Sequence, residues 1–490
     1  MEVLQNYING SWVQSRESET IDVINPASQE VLGKVPYGKN TYADVTSAVE
    51  AASKAFKSWS QVPVMRRVQP LYKLKQLLEE HAEEIARTIT TECGKTIAES
   101  RGEIQRAIEN VEVACGTPML IQSEFSENIA TGIDEFMIRQ PLGVCACIAP
   151  FNFPGMIPFW FLPYAIACGN TFIFKPSEKV PLTMLKVFKL IDQLDLPEGL
   201  INLVHGGKET VDALLDNPDV KAISFVGSTH IAKYIYSRGA ANGKRVQAQG
   251  GAKNPVVILP DADIEMSVQI ITDSVYGCAG QRCLAASNII TVGDDGKIRE
   301  ALYESAKGRK TGFGLDEKIE MGPVITKDSR SRVEHLIEKG VHEGGRVLLD
   351  GRNAKIEGYE NGNFLRPTIL QGLPLDGEVI RTEIFGPVMS LIELNTVDDA
   401  LDFINGGNYG NMACLFTSSG ANARKFRNQA NAGNIGINIG VAAPMAQFPF
   451  SGWKESFFGD LHGQGRHAIE FFTQTKVVIE RWPKEWTRKF

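Results

Sequence analysis

From Gly143 onward, short apolar runs of β-type residues alternate with amphipathic stretches, and this alternation most narrows the folds open to the chain. TFIFK precedes LTMLKVFKLIDQL, INLVH precedes ETVDALL, and KAISFV precedes HIAKYIYSRGA. Strand-then-helix repetition is the signature of βαβ units on a parallel sheet covered by helices on both faces. After Pro255 it begins again with PVVIL, a helix near 263–277, NIITVG and a helix near 297–307, then runs on through RVLLD, FLRPTIL, VMSLIEL, ACLFT and IGINIG. Two successive α/β domains, joined near Gly250–Pro255, are the economical reading. This suits 490 residues, because single cores stop growing at roughly 250–300. Upstream, 42–58, 65–90 and 98–118 read as amphipathic helices. The tail FFTQTKVVIERW reads as a last strand with no sequential partner, suited to completing a sheet in a neighbouring subunit.

Val144–Phe174 carries no charge and is long enough to span a bilayer. Pro150, Pro154, Pro158 and Pro163 break the helical hydrogen bonding that a span requires. The segment reads instead as a buried strand (143–149), an irregular polar turn, a helix and a second strand (171–174). A net charge of −7 lacks the basic field that nucleic acid or anionic membrane would need. Eight cysteines without disulfide or metal spacing suit a reducing compartment. With no basic, apolar leader in the N-terminal stretch, the cytoplasm is expected. The scattered histidines give no metal site.

Four short segments hold candidate chemistry. In KAISFVGST, Gly227 and Ser228 lie between a strand and a helix start, where bare amides hold phosphate; an ordinary N-cap reads equally well there. FKPSE sets Lys175 and Glu178 at the end of a buried strand, where α/β sheets bind ligands and a carboxylate can accept from ribose hydroxyls. A solvated charged loop is the plainer alternative. In GCAGQRC, Cys283 follows Gly277 and Gly280 with Arg282 adjacent, so a cation and free amides are expected to lower its pKa. Cys278, with no adjacent charge, reads as a small buried hydrophobe. Asn152 in APFNFP is either a pre-aimed oxyanion donor or a turn asparagine bonded to backbone.

APFNFP, FKPSE, FVGS, GQRC and EIFGPV, in this order and spacing over nearly the whole chain, resemble the aldehyde dehydrogenase superfamily. The resemblance implies a Rossmann-like NAD-binding domain (1–123 and 142–251), an α/β catalytic domain (252–450) and a small β oligomerisation arm (124–141 and 468–486). It makes Cys283 the nucleophile and places Asn152 with the Cys283 N–H at the oxyanion. Phe151, Lys175, Glu178, Gly227, Ser228, Glu383 and Phe385 become NAD contacts. Hydrolytic members carry a glutamate where AQGGAK has Gln249, and a neutral amide cannot take a proton from water near pH 7. A thiol supplies its own thiolate and needs less base help. The pattern, with EIQRAIENVE, GAKN and PFSGWKESFFGDLHGQG, is similar to the CoA-acylating methylmalonate- and malonate-semialdehyde dehydrogenase branch. That branch implies coenzyme A as co-substrate and a carboxylate clamp of Arg106 and Arg282; the plain reading of Arg106 is a surface ion pair with Glu103 and Glu109. It also implies loss of CO₂ and a homodimer or homotetramer. The alternatives are a hydrolytic dehydrogenase for another anionic aldehyde, sulfonated or succinate-type, and a catalytically silent relative.

Overall fold

The computed structural model describes residues 3–293 and 296–482. Residues 1–2, 294–295 and 483–486 of the expected domains and arm lie outside the described residues. An eight-stranded sheet has five parallel strands at its centre, in the order Ile201–Leu203, Thr171–Lys175, Val144–Ile148, Val220–Val226 and Arg245–Gln249. By position along the chain this is 3-2-1-4-5, a doubly wound order whose switch point falls between Val144–Ile148 and Val220–Val226. Ligands bind such sheets at the carboxyl ends of the strands beside that reversal. The loops there begin at Ala149 and Gly227.

Val144–Ile148 and Thr171–Lys175 are buried at every position, as strands covered on both faces must be. Between them, the proline-rich residues form a 3₁₀ turn, Ile157–Trp160, and a seven-residue helix, Leu162–Cys168. Among the described residues no helix is long and apolar enough to cross a membrane.

The second sheet has seven strands, in the order Arg346–Leu349, Thr368–Gln371, Val388–Leu394, Ala286–Val292, Asn254–Ile258, Met412–Phe416 and Asn434–Ile437. All pair in parallel except the first. Only residues 250–253 separate the strand ending at Gln249 in the first sheet from the one beginning at Asn254 in the second. A short return strand, Phe457–Phe458, pairs antiparallel with Ala248 and Gln249, so the far end of the chain closes over the same link.

A third sheet of Thr473–Arg481, Ile133–Pro141 and Phe125–Ala130 is antiparallel and largely exposed. The terminal strand therefore has a partner within its own chain, Ile133–Pro141, in continuous register from Thr473↔Pro141 to Arg481↔Ile133.

The helix read over 65–90 is three pieces, Val64–Arg67, Gln69–Glu80 and Ala82–Cys93. Pro70 has no N–H to continue the first piece and sits in the first turn of the second, where that donor is not needed. The helix Ile97–Cys115 begins with a capping box in which Thr96 and Glu99 satisfy each other's backbone N–H.

Candidate active site

Cys283 is partly buried, whereas the other seven cysteines are buried. It follows three residues of positive φ, Cys278 (50°), Ala279 (52°) and Gly280 (72°). That left-handed run turns the chain sharply out of helix Ile264–Tyr276. Gly280 cannot carry a side chain, because a Cβ there would overlap the Gly386 carbonyl of the EIFGPV loop. The glycine thus lets two loops meet backbone to backbone. Glu99, besides capping its own helix, accepts from the Cys278 N–H at 2.7 Å and from Arg282 Nη2 at 2.8 Å. The helix cap is also the dock of the Cys283 loop.

The resting thiol differs from the sequence expectation. Burial pushes the Cys283 thiol up to about 12, and the charge of Glu383 adds to the rise. The N–H groups of Cys283 and Leu284 and the charge of Arg282 work the other way and are outweighed. Arg282 turns its guanidinium onto Glu99 and onto the Cys278 sulfur, with Nε donating at 3.2 Å. Cys278 is buried, as expected, but it is not free of charge: it, rather than Cys283, has the arginine as hydrogen-bond partner.

Asn152 is buried, and its Nδ2 donates to the Gln281 carbonyl at 2.9 Å, which brings the APFNFP turn against the loop that carries Cys283. The turn is held by a buried ion pair absent from the sequence reading. Lys95 Nζ meets Glu103 Oε2 at 2.6 Å and also donates to the Asn152 carbonyl. Glu103 Oε1 accepts from the Gly155 and Met156 N–H groups at 2.6 and 3.1 Å. Glu103 therefore faces inward and gives Arg106 no partner.

Arg106 pairs with Glu109 at 2.9 Å and leans on Met445 and on the carbonyls of Ala443 and Pro444. Arg106 and Arg282 are each engaged by a separate carboxylate and share no hydrogen-bond partner.

At the switch point the other expected residues line one edge. Lys175 is buried and donates to Glu178 at 3.2 Å, so FKPSE is not a solvated loop. Burial pushes the Glu178 carboxyl up, but the Lys175 ammonium, its own backbone N–H and the charge of Lys179 together outweigh it and hold the group below its usual range. Ser228 is the N-cap of helix Thr229–Ala241, yet its side chain makes no cap bond, so first-turn N–H groups remain for an anion. The rings of Phe151 and Phe385 meet edge to face at 5.9 Å. Glu383 accepts from the Ala252 N–H at 3.0 Å, and burial pushes its carboxyl up to about 7. Arg332 donates to the carbonyls of Glu383 and Ile384 at 2.6 Å each and fixes that loop. A dinucleotide fits this donor set: an acidic-basic pair for a ribose, a bare helix start for a pyrophosphate and a second carboxylate near the thiol. Among the described residues no group of three or more His, Cys, Asp or Glu is placed to hold a metal ion.

Gln249, expected at the position of the hydrolytic glutamate, is buried at the end of its strand. Its Nε2 donates to Asn411 Oδ1 at 3.2 Å. Asn411 Nδ2 in turn donates to the Cys283 carbonyl at 2.8 Å, and Asn254 Nδ2 donates to the same carbonyl at 2.8 Å. Sequence reasoning missed both asparagines. Asn254 stood inside GAKN, and Glu99 was signalled by the T-x-x-E capping box; Asn411, in NYGNMACLF, reads as a polar residue before a strand.

The chain belongs to the aldehyde dehydrogenase family, which matches residues 12–478. It is 47% identical to malonate-semialdehyde dehydrogenase 1 of Geobacillus thermodenitrificans (strain NG80-2), over 98% of this chain and 99% of that protein. It is 46% identical to the mitochondrial methylmalonate-semialdehyde dehydrogenase [acylating] of Arabidopsis thaliana, over 97% of this chain and 78% of the relative. A crystal structure described as a methylmalonate-semialdehyde dehydrogenase from Sinorhizobium meliloti 1021 complexed with NAD superposes with a TM-score of 0.96. It is 41% identical, and the match covers 99% of each chain.

Proposed function

We propose that the protein oxidises malonate or methylmalonate semialdehyde with NAD and coenzyme A, giving acetyl- or propionyl-CoA and CO₂. The observation that carries this reading is Gln249, a buried amide where hydrolytic members have a carboxylate. The relatives named for these semialdehydes point the same way. Cys283 adds to the aldehyde carbon, and the oxygen is held by Asn152 Nδ2 and the Cys283 N–H, donors positioned where negative charge develops. NAD, when bound by Phe151, Lys175, Glu178, Gly227, Ser228, Glu383 and Phe385, supplies the hydride acceptor.

The oxidised substrate is then a thioester on Cys283 with a carboxylate two carbons from the sulfur-bound carbonyl. When the bond to that carboxylate breaks, its electron pair moves toward the thioester carbonyl, CO₂ leaves, and a proton replaces it. The thiolate of coenzyme A takes the acyl group and returns the Cys283 sulfur. Arg106 and Arg282 hold the substrate carboxylate, exchanging part of their pairing with Glu109 and Glu99; guanidinium suits a planar anion bidentately. The enzyme acts in the cytoplasm as a homodimer or homotetramer, joined through the exposed third sheet, where Phe125, Ile129, Val477 and Ile479 face solvent in the single chain.

One observation favours the hydrolytic alternative: Glu383, raised to about 7 beside Cys283, has the affinity of a general base. A rapid-mixing trace separates the two. The acylating enzyme gives a burst of NADH, then slow turnover until CoA is added, with CO₂ released. Equally fast steady NADH formation with and without CoA selects hydrolysis.

A further inference from the structure

We propose that Gln249 and Asn411 are positioning residues for the nucleophile: hydrogen-bonded amides run from the position of the absent base, through Asn411, to the backbone carbonyl of Cys283 itself. The proposal rests on Cys283 being the nucleophile, as in the function above.

The direction of every hydrogen bond in the chain is fixed by chemistry. The Cys283 carbonyl can only accept, so Asn411 must present Nδ2 to it, at 2.8 Å. That leaves Oδ1 at the other end of the Asn411 amide, and Gln249 must meet it with Nε2, at 3.2 Å. Beyond the carbonyl, the next donor is the N–H of the same peptide plane. In a trans peptide, the carbonyl oxygen and the following N–H point in opposite directions. Holding the Cys283 oxygen therefore fixes the peptide plane that follows the nucleophile, and with it the direction of the Leu284 N–H.

The chain is rigid at its middle. Asn411 is 1% exposed and Gln249 4% exposed, and the Asn411 carbonyl takes both the backbone N–H and the Nδ2 of Asn434. Amides bonded in series polarise one another in a low-dielectric interior, so each donor polarises the peptide that follows Cys283. The other charges bearing on the sulfur are Glu383, from the EIFGPV loop, which opposes the thiolate, and Arg282, which favours it. Neither belongs to the chain. A carboxylate at 249 would face Asn411 Oδ1, acceptor against acceptor. An amide at 249 is thus a working part of the nucleophile's surroundings as well as an absent base.

The test is the pH profile of alkylation by iodoacetamide, with the modified cysteine located by peptide mapping. The variants are Asn411→Leu and Gln249→Met, near-isosteres that cannot donate. In the parent enzyme Cys283 reacts, and because its thiol is raised well above the working range the rate climbs about tenfold per pH unit without levelling off. In Asn411→Leu the whole line drops, about tenfold slower at pH 7.5 for a displacement of one unit. Gln249→Met moves the same way by less, because Asn411 stays in place; it also carries the test should the Leu variant fail to fold. Profiles of the folded variants that superimpose on the parent's overturn the proposal. Alkylation of another cysteine in place of Cys283 overturns both this proposal and the assignment of the nucleophile. A displaced profile together with CoA-independent turnover removes only the acylating reading and leaves the amide chain standing.

Discussion

Lys95→Met isolates the device that holds the Asn152 turn. In the parent the Lys95 ammonium and the Glu103 carboxylate are both almost fully buried and 2.6 Å apart. Glu103 caps the N–H groups of Gly155 and Met156, and Lys95 takes the Asn152 carbonyl. Removing the ammonium leaves a buried carboxylate with two neutral donors, a change that costs about 3–5 kcal/mol. Replacing both members, Lys95→Met with Glu103→Gln, removes the uncompensated charge, so the double variant recovers about 2–3 kcal/mol of that loss. Burial already pushes the Glu103 carboxyl up, and loss of Lys95 pushes it further. A group whose folded pKa lies above its unfolded one stabilises at low pH and loses that contribution as pH rises through the folded value. The defect of Lys95→Met therefore grows from pH 6 to pH 8. Urea unfolding of the four proteins of the cycle at both pH values measures this, with the NADH burst reporting on Asn152. A single variant within about 1 kcal/mol of the parent at pH 8, or a coupling energy near zero, would refute the reasoning.

Glu383→Gln removes a charge that opposes the Cys283 thiolate, so alkylation at pH 8 speeds up. Because burial raises Glu383 to about 7, the parent's carboxylate gains its proton below that pH and the advantage of the variant shrinks there. Gly280→Ala puts a Cβ at φ 72° against the Gly386 carbonyl. A displacement of the nucleophile of about 1 Å costs on the order of a hundredfold, so a burst within twofold of the parent's counts against that contact. Gln249→Glu raises CoA-independent turnover, and the gain steepens with pH, since a carboxyl facing Asn411 Oδ1 keeps its proton longer than an exposed one. Turnover unchanged from pH 7 to 9 would mean that position 249 does not face the hydrolytic water.

Sequence made the two α/β sheets legible because their strands are buried on both faces and read as unbroken apolar runs such as VCACI and TFIFK. The N-terminal strands Thr20–Ile24 and Val31–Pro36 escaped because they are only half-buried and lack that run. The return strand Phe457–Phe458 is two residues long, too short to carry a period, yet it closes over Gln249. At the site, residues set by local chain geometry were legible: the glycine before a helix, the cysteine after two glycines, the lysine ending a strand. Lys95–Glu103 was not, because a charged pair eight residues apart across a helix start looks like two surface residues until its burial is known. The side-chain direction of Arg282 was equally hidden, since adjacency in sequence to Cys283 does not say which neighbour a long guanidinium will reach.

The link between the sheets explains why so much chemistry converges on one peptide. Gln249 ends the last central strand of the first sheet and Asn254 begins a central strand of the second, with only 250–253 between them. Both strands are pinned by parallel neighbours, Val220–Val226 on one side and Ala286–Val292 on the other. Asn254 reaches the Cys283 carbonyl directly, and Gln249 reaches it through Asn411, which itself leads into the strand beside Asn254. One sheet also carries the crevice suited to a dinucleotide, and the other sheet's loops carry the thiol. Both direct donors to the Cys283 carbonyl thus come from the second sheet, and the first sheet reaches it through Gln249 bracing the Asn411 amide, so the orientation of one side chain carries the contact between the two sheets to the peptide at Cys283.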